Sequence, residues 1–233
     1  MNLPIFYESF LPLDPSFILS EETSRHILLV LRMKKDAQVR LTNGKGELLL
    51  VQVIGVHKKT VEIKVVCRSQ TLAVNPNITI AMSLLKNPGR FEWFLEKATE
   101  IGVQAIIPLL CERTEKHHFR HERLNSILKS AMLQSQQLWL PQLHQPILYD
   151  EVLHSFPLEQ KFIAHCIEGD KHLLTEELKK QGDKIILIGP EGDFTKHEIE
   201  KALSREFLPV SLGSTRLRTE TAGIVAATML KLG

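Results

Sequence analysis

Lys184-Ile185-Ile186-Leu187-Ile188, then Gly189-Pro190-Glu191-Gly192-Asp193-Phe194, then Thr195-Lys196-His197-Glu198: the fold class is read from this stretch. Ile185 to Ile188 run apolar without alternation, as in a strand buried on both faces. Two glycines let the following backbone approach a neighbour closely, and Pro190 stiffens the turn. Thr195 with Glu198 three residues later is the capping-box signature of a helix start. A buried strand that passes through a short loop into a helix is one unit of a mostly parallel sheet.

The same grammar extends outward from this unit. Strands are predicted over 78–85, Ala105–Leu110, Lys161–Cys166 and Phe207–Leu212. Helices are predicted over Arg90–Ile101, Arg120–Gln137, Lys171–Lys180, Thr195–Ser204 and Thr219–Leu230. The fold class is therefore α/β, a mostly parallel sheet with helices on both faces. Upstream the grammar differs. Ser20-Glu21-Glu22 opens a helix whose apolar face is Ile27, Leu28, Val30 and Leu31, ending near Met33. Strands follow over 37–43, 46–56 and 60–67, separated by the turns Asn43-Gly44-Lys45-Gly46 and His57-Lys58-Lys59. The expected organisation is a small β-barrel over 1–70, a linker over 71–77 and the α/β domain over 78–233.

Composition excludes several classes. The 233 residues are 43% hydrophobic and 24% charged, which suits one large or two modest globular domains and leaves no disordered tract. No apolar run approaches the roughly 18 residues of a membrane span, and the N-terminus lacks the basic and apolar regions of a signal peptide, so a cytoplasmic location is expected. Cys67, Cys111 and Cys166 form no CxxC pair and read as three buried thiols. His117, His118 and His121 have no cysteine or carboxylate at ligand spacing, and no metal is expected. A net charge of +2 leaves any nucleic-acid surface to local clusters, such as Arg25/His26/Arg32/Lys34/Lys35, Arg113/Lys116/His117/His118/Arg120 and Arg216/Arg218. Each is equally readable as a solvated face.

In a parallel sheet, ligands bind beyond the carboxyl ends of strands. Two loops qualify. The first is the Gly189–Asp193 turn. The second is Leu212-Gly213-Ser214-Thr215-Arg216-Leu217-Arg218-Thr219-Glu220-Thr221-Ala222, with Thr219 as expected N-cap and Glu220 in the first turn of a terminal apolar helix. On residues alone, the first is equally an ordinary tight turn. The second is equally a capped helix with two exposed arginines.

The pair together resembles the SPOUT superfamily of methyltransferases, and within it the RsmE family, which makes N3-methyluridine in 16S ribosomal RNA. The resemblance spans nearly the whole chain. His26-Ile27-Leu28-Leu29-Val30-Leu31-Arg32 is similar to the family's N-terminal signature. Lys86, Glu92 and Glu96-Lys97-Ala98-Thr99-Glu100-Ile101-Gly102-Val103 are similar to its first methyltransferase motif, and Cys111-Glu112-Arg113-Thr114 to the next strand end. Gln134-Ser135 stands where the family has a Gln-Ser pair. Three positions depart. Asp193 replaces the last glycine of GPEGG, to repel phosphate or to cap the next helix. Gln136-Gln137-Leu138 lacks an arginine that usually follows Gln-Ser, and Ile5-Phe6-Tyr7 lacks one that is common there.

The resemblance implies a trefoil knot in the C-terminal domain, an exception to the usual unknotted topology. It also implies a PUA-like N-terminal barrel that binds RNA, and a homodimer formed through the knot and terminal helix. S-adenosylmethionine would be held by Leu85, Ile188, Gly189, Pro190, Glu191, Gly192, Leu212, Gly213, Ser214, Leu217, Arg218, Thr219, Thr221 and Ala222. The substrate would be ribosomal RNA or the small ribosomal subunit, contacted by Arg25, Arg32, Lys86, Arg113 and Arg216. Uracil N3 is a weak acid, so the site must favour the deprotonated base and align it. A cation near O2 or O4 would do the first. Arg218, at the start of the terminal helix, is the leading candidate and Arg113 the second. Glu220 is either a base or a partner of the helix dipole. Two rivals stay open: a SPOUT enzyme for another RNA such as transfer RNA, and a non-catalytic RNA-binding assembly factor.

Overall fold

The structure is a computed structural model of the chain, and it describes residues 3–73, 77–156, 158–179 and 181–233. It falls into two compact units, Met1–Ala73 with Met132–Leu140, and Val74–Ala131 with Pro141–Gly233. Of the expected linker, residues 74–76 lie outside the described residues.

In the first unit, β1 (Ile5–Tyr7), β2 (Ser16–Ile18), β3 (Gln38–Thr42), β4 (Glu47–Val56) and β5 (Val61–Gln70) form one sheet in the order β1-β3-β4-β5-β2. β1 runs parallel to β3 and the other neighbours are antiparallel. Alternate residues Val39, Leu41, Leu49, Val51, Val53, Val61 and Ile63 are fully buried, so the period-2 pattern points one sheet face at the core. Register shifts at Leu50/Val51 and Val53/Gly55 break the long β4–β5 ladder, and such bulges increase local twist.

Ser20 caps α1 (Glu21–Arg25), its hydroxyl accepting from Thr23 N. The helix then widens into a π turn over His26–Val30, with Leu31 N bonded to His26 O at 3.1 Å. The extra residue in the turn changes the phase of the side chains that follow. Ile27 is buried and Leu28 packs on the core, but Val30 is 66% and Leu31 41% exposed. The expected four-residue apolar face is thus half outside, and the helix stops at Val30 rather than Met33.

Residues 132–140 complete this unit. Gly46 N donates to Leu138 O at 2.8 Å, Leu140 N to Gly44 O at 2.9 Å, and Arg40 Nη2 to Gln136 Oε1 at 3.2 Å. A side chain at Gly46 would collide with the Trp139 ring.

The second unit alternates strand and helix: β6 (Ile78–Ser83), α2 (Pro88–Ile101), β7 (Ala105–Leu110), α3 (His121–Gln134), β8 (Gln142–Leu143), β9 (Ile147–Leu148), α4 (Tyr149–Ser155), β10 (Gln160–Ala164), β11 (His172–Leu173), α5 (Leu174–Glu177), β12 (Lys184–Ile188), α6 (Lys196–Ser204), β13 (Leu208–Ser211) and α7 (Thr219–Leu232). The sheet order is β11-β13-β10-β12-β6-β7-β8, with β9 also on β7, and every pairing is parallel. Ala81, Ile107, Ile163, Ile185 and Leu187 pack on one face with Val152 of α4 and Ile199 and Ala202 of α6. On the other face α7 packs against α2, β6 and β12. A Cβ on Gly223 of α7 would sit 2.7 Å from Phe94 and 2.9 Å from Met82, so glycine is what lets these elements approach so closely.

One expected helix is mostly absent. Over 171–180 only Leu174–Glu177 is helical, and Lys180 lies outside the described residues. His172 and Leu173 instead pair with Val210 and Ser211 at the sheet edge. Lys171 Nζ donates to His165 O and Ile167 O, both at 2.7 Å. Tertiary pairing has overridden a helix-favouring composition.

Candidate functional site

The carboxyl ends of β10, β12 and β13 open on one hollow of about 350 Å³. Three loops build it. After β12, Asp193 N closes a turn on Pro190 O at 2.9 Å. A Cβ on Gly189 would lie 3.1 Å from the backbone and ring of buried Phe194, so the turn is packed from beneath. Thr195 and Glu198 then start α6 as a capping box: Glu198 N donates to Thr195 Oγ1 at 3.2 Å, and Thr195 N to Glu198 Oε2 at 2.8 Å. Buried Glu198 also accepts from Glu112 N at 2.8 Å, which ties the loop after β7 to this one.

The loop after β13 leads to α7. Its N-cap is Arg218, in extended conformation and without a side-chain capping bond. Thr219, the expected cap, is the first helical residue and is buried. The third loop follows β10 and contributes His165 and Cys166. Asp193 fastens it: Oδ2 accepts from Cys166 N and Oδ1 from Phe194 N, each at 2.8 Å. Asp193 holds φ at 62°, a conformation that costs a non-glycine residue. Its carboxylate therefore caps no helix; it bridges two loops.

Of the residues assigned to a cofactor, Ile188, Gly189, Pro190, Glu191, Leu212, Leu217, Arg218, Thr219 and Ala222 line this hollow. Gly192 and Thr221 are not among its lining residues. Gly213 and Ser214 line a shallower neighbour with Lys171 and His172, and Leu85 lines a separate cavity near α2. Arg216 and Arg218 are on the wall of the hollow. Arg113 is not; its Nη1 donates to Gly192 O at 2.7 Å. Lys86 gives its N–H to Glu191 Oε1 at 3.0 Å, and its ammonium pairs with Glu115 at 2.7 Å. Arg25 and Arg32 are exposed on the first unit.

The sequence reading missed Arg90. It lines the hollow, and its Nε lies 3.6 Å from Oε1 of Glu220. Glu220 is 8% exposed, and its Oε2 has no hydrogen-bond partner. A signal was present: Arg90 sits in the first turn of α2, where a cation opposes the helix dipole and calls for an anionic partner. His165 was missed as well. Burial, with Lys171 adding to it, holds its ring below the ordinary histidine value.

The cysteine expectation needs correction. Cys111 is buried, and burial pushes its thiol well up, whereas Cys67 and Cys166 are exposed because they lie on the outer half of β5 and on the β10 loop. Among the described residues no group of three or more His, Cys, Asp or Glu is placed to hold a metal ion.

These features can be set beside known proteins. A family model described as an RNA methyltransferase domain matches residues 73–231, and one described as an RNA methyltransferase PUA domain matches residues 19–66. The chain is 35% identical to a probable rRNA-methyltransferase from Porphyromonas gingivalis, whose crystal structure superposes with a TM-score of 0.91 over 99% of both chains. It is 30% identical, with a TM-score of 0.88 over 99% of this chain and 98% of the other, to a ribosomal RNA small subunit methyltransferase E from Neisseria gonorrhoeae bound to S-adenosyl methionine. A curated ribosomal RNA small subunit methyltransferase E from Buchnera aphidicola is 29% identical, covering 97% of this chain and 92% of the relative. The chain belongs to the RsmE family of RNA methyltransferases.

Proposed function

We propose that this protein transfers a methyl group from S-adenosylmethionine to N3 of a uridine in 16S ribosomal RNA. The observation that carries the reading is the convergence of the β12 and β13 loops on one hollow, with Arg90, Arg216 and Arg218 in its wall. Its volume of about 350 Å³ suits a small cofactor. Leu212, Leu217 and Ala222 offer apolar surface to an adenine, and Gly189 and Pro190 offer backbone groups at close range.

When bound, the cofactor supplies a methyl group activated on a sulfonium. Arg218 stabilises the uracil anion at O2 or O4 and so favours loss of the N3 proton. Glu220 holds the Arg90 guanidinium toward the hollow. Arg113 acts through the Gly192 carbonyl, keeping the cofactor loop in place rather than touching the base. Arg25 and Arg32 on the PUA-like unit, with Arg216 and Lys86, supply phosphate contacts. The chain path after β12 runs to β13, beyond β10, and returns so that α7 packs on α2 and β6; this supports the knotted reading. Ile224, Val225 and Met229 of α7 are only half-buried, which supports a homodimer across this helix. No helix among the described residues is long and apolar enough to cross a membrane, and a ribosomal RNA substrate is consistent with work in the cytoplasm.

The test is methyl transfer from labelled S-adenosylmethionine to purified 16S ribosomal RNA, small subunits and transfer RNA, with mass mapping of products. N3-methyluridine in the small-subunit RNA is expected. Methylated transfer RNA, or RNA binding without cofactor binding, would overturn the assignment in favour of another substrate or of an assembly factor.

A further inference from the structure

A second hollow, of about 360 Å³, lies beyond the ends of β6 and β7. It is separate from the cofactor hollow but adjoins it across the first turn of α2: Arg90 lines one, Pro88 and Phe91 the other. Its wall is apolar, formed by Leu85, Phe91 and Leu124, each buried. Its rim is basic, formed by His118, Arg120 and Arg123.

The two guanidiniums differ. Arg123 is committed, donating from Nε and Nη2 to the Glu92 carboxylate at 2.6 and 2.9 Å. That pairing offsets Glu92, the one carboxylate among the described lining residues, whose charge also acts on Arg120. Arg120 makes no ion pair among the described residues, and its Nε donates to His118 Nε2 at 2.8 Å. Its terminal nitrogens are left for a ligand, in a fork suited to phosphate. An apolar wall for a flat base, edged by a cation for the neighbouring phosphate, is the pattern of single-stranded nucleic-acid recognition.

We propose that this hollow is a second nucleotide subsite, which receives an unstacked base of the substrate RNA close along the strand from the methylated one, with its phosphate on Arg120. The proposal rests on the reading of the chain as an RNA methyltransferase. RNA fits because the lining sets two guanidiniums, Arg120 and Arg123, against the single Glu92 carboxylate, leaving a net positive rim, and every nucleotide carries a phosphate beside a base. The subsite fixes which uridine reaches the methyl donor. It assigns Leu85 to substrate rather than cofactor.

The experiment uses the full chain and a small-subunit RNA fragment that contains the target. Arg120→Ala, an exposed change, is expected to raise the KM for RNA about 5- to 20-fold, with kcat and cofactor affinity unchanged. Removing one phosphate contact lowers the slope of log K against log salt by roughly 0.7–0.9. Abasic replacements placed one at a time around the target should reveal one position that raises KM in the wild type. The same replacement should cost less in Arg120→Ala, because base and phosphate contacts belong to one bound nucleotide and each helps seat the other. Methylation by the wild type with a flat abasic scan, or full additivity of the two losses, overturns the subsite alone. A wild type that leaves the RNA unmethylated overturns the underlying reading and the subsite with it.

Discussion

Replacing Asp193 by glycine removes both hydrogen bonds of its carboxylate and isolates what that carboxylate does. Two backbone N–H groups, those of Cys166 and Phe194, donate to it at 2.8 Å each. A hydrogen bond to a charged acceptor is worth about 1.5–3 kcal/mol when buried, and less here because Cys166 is exposed and Asp193 only half-buried. About 1 kcal/mol for each bond is a fair discount, or about 2 kcal/mol together. Glycine relieves about 1 kcal/mol of strain at φ 62°, but it loosens the unfolded chain by a similar amount. The net expectation for Asp193→Gly is a loss of about 2 kcal/mol, concentrated in the loop after β10. Asp193→Ala keeps the strain the wild type already carries and leaves the unfolded chain no looser, so it too should lose about 2 kcal/mol. Asp193→Asn keeps one acceptor oxygen and should fall between wild type and glycine. Hydrogen exchange at the Cys166 amide reads the local effect directly, and a loss of about 2 kcal/mol predicts roughly 30-fold faster exchange. Because His165 and Cys166 line the cofactor hollow, calorimetry should show S-adenosylmethionine binding weakened about 3- to 10-fold. Unchanged exchange at Cys166 in Asp193→Gly, with unchanged cofactor affinity, would refute the bridging role.

Arg218→Ala should lower the single-turnover rate about 100-fold with cofactor affinity within about twofold, and steepen the rise of rate with pH; a change in KM and salt slope alone would mean a phosphate grip instead. Gly189→Ala should destabilise by about 1–3 kcal/mol, because its Cβ meets buried Phe194 at 3.1 Å. Gly192→Ala meets only the Arg113 side chain at 3.5 Å and should unfold thermally near the wild type, so equal losses in the two would contradict the packing described. Gly223→Ala gains about 1 kcal/mol of helix propensity but overpacks against Phe94 and Met82, for a net loss of about 1–2 kcal/mol and a Tm lower by about 2–8 °C. Adding Phe94→Leu should recover part of that loss; simple additivity of the two would argue against the clash. Burial lowers the His144 and His165 rings, so the folded state binds fewer protons than the unfolded chain just below pH 6.5, and stability should fall as pH drops through that window. In His165→Gln the decline in Tm from pH 7.5 to 5.5 should be shallower than in the wild type.

Much of the second unit was legible because its strands are short, fully apolar and punctuated. β7 and β12 fall on the expected residues, since Gly102 in a left-handed conformation and the Gly189-Pro190 turn stop the neighbouring elements. The capping box at Thr195 was legible for the same reason: its chemistry is local. What failed depended on distant partners. Nothing within 171–180 announces pairing with Val210 and Ser211. Arg90 belongs to the site through Glu220, 130 positions away in sequence. Leu85, which the family likeness gives to the cofactor, lines a neighbouring cavity whose walls come from α2 and α3, so its place too depends on distant residues. Asp193 was open to two readings, and neither included a bridge to Cys166.

Residues 132–140 carry a consequence for biosynthesis. The Gly44–Gly46 turn of the first unit is closed by Leu138 and Leu140, made some ninety residues later. During translation the β3–β5 ribbon leaves the ribosome early and waits with that turn uncovered. By the time Trp139 arrives, β6, α2, β7 and the whole of α3 have been made as well. The first unit is therefore expected to complete its packing only after residues 132–140 are made. A fragment cut at residue 70 lacks the segment that closes this turn, so the turn is expected to stay uncovered, the kind of surface that chaperones recognise.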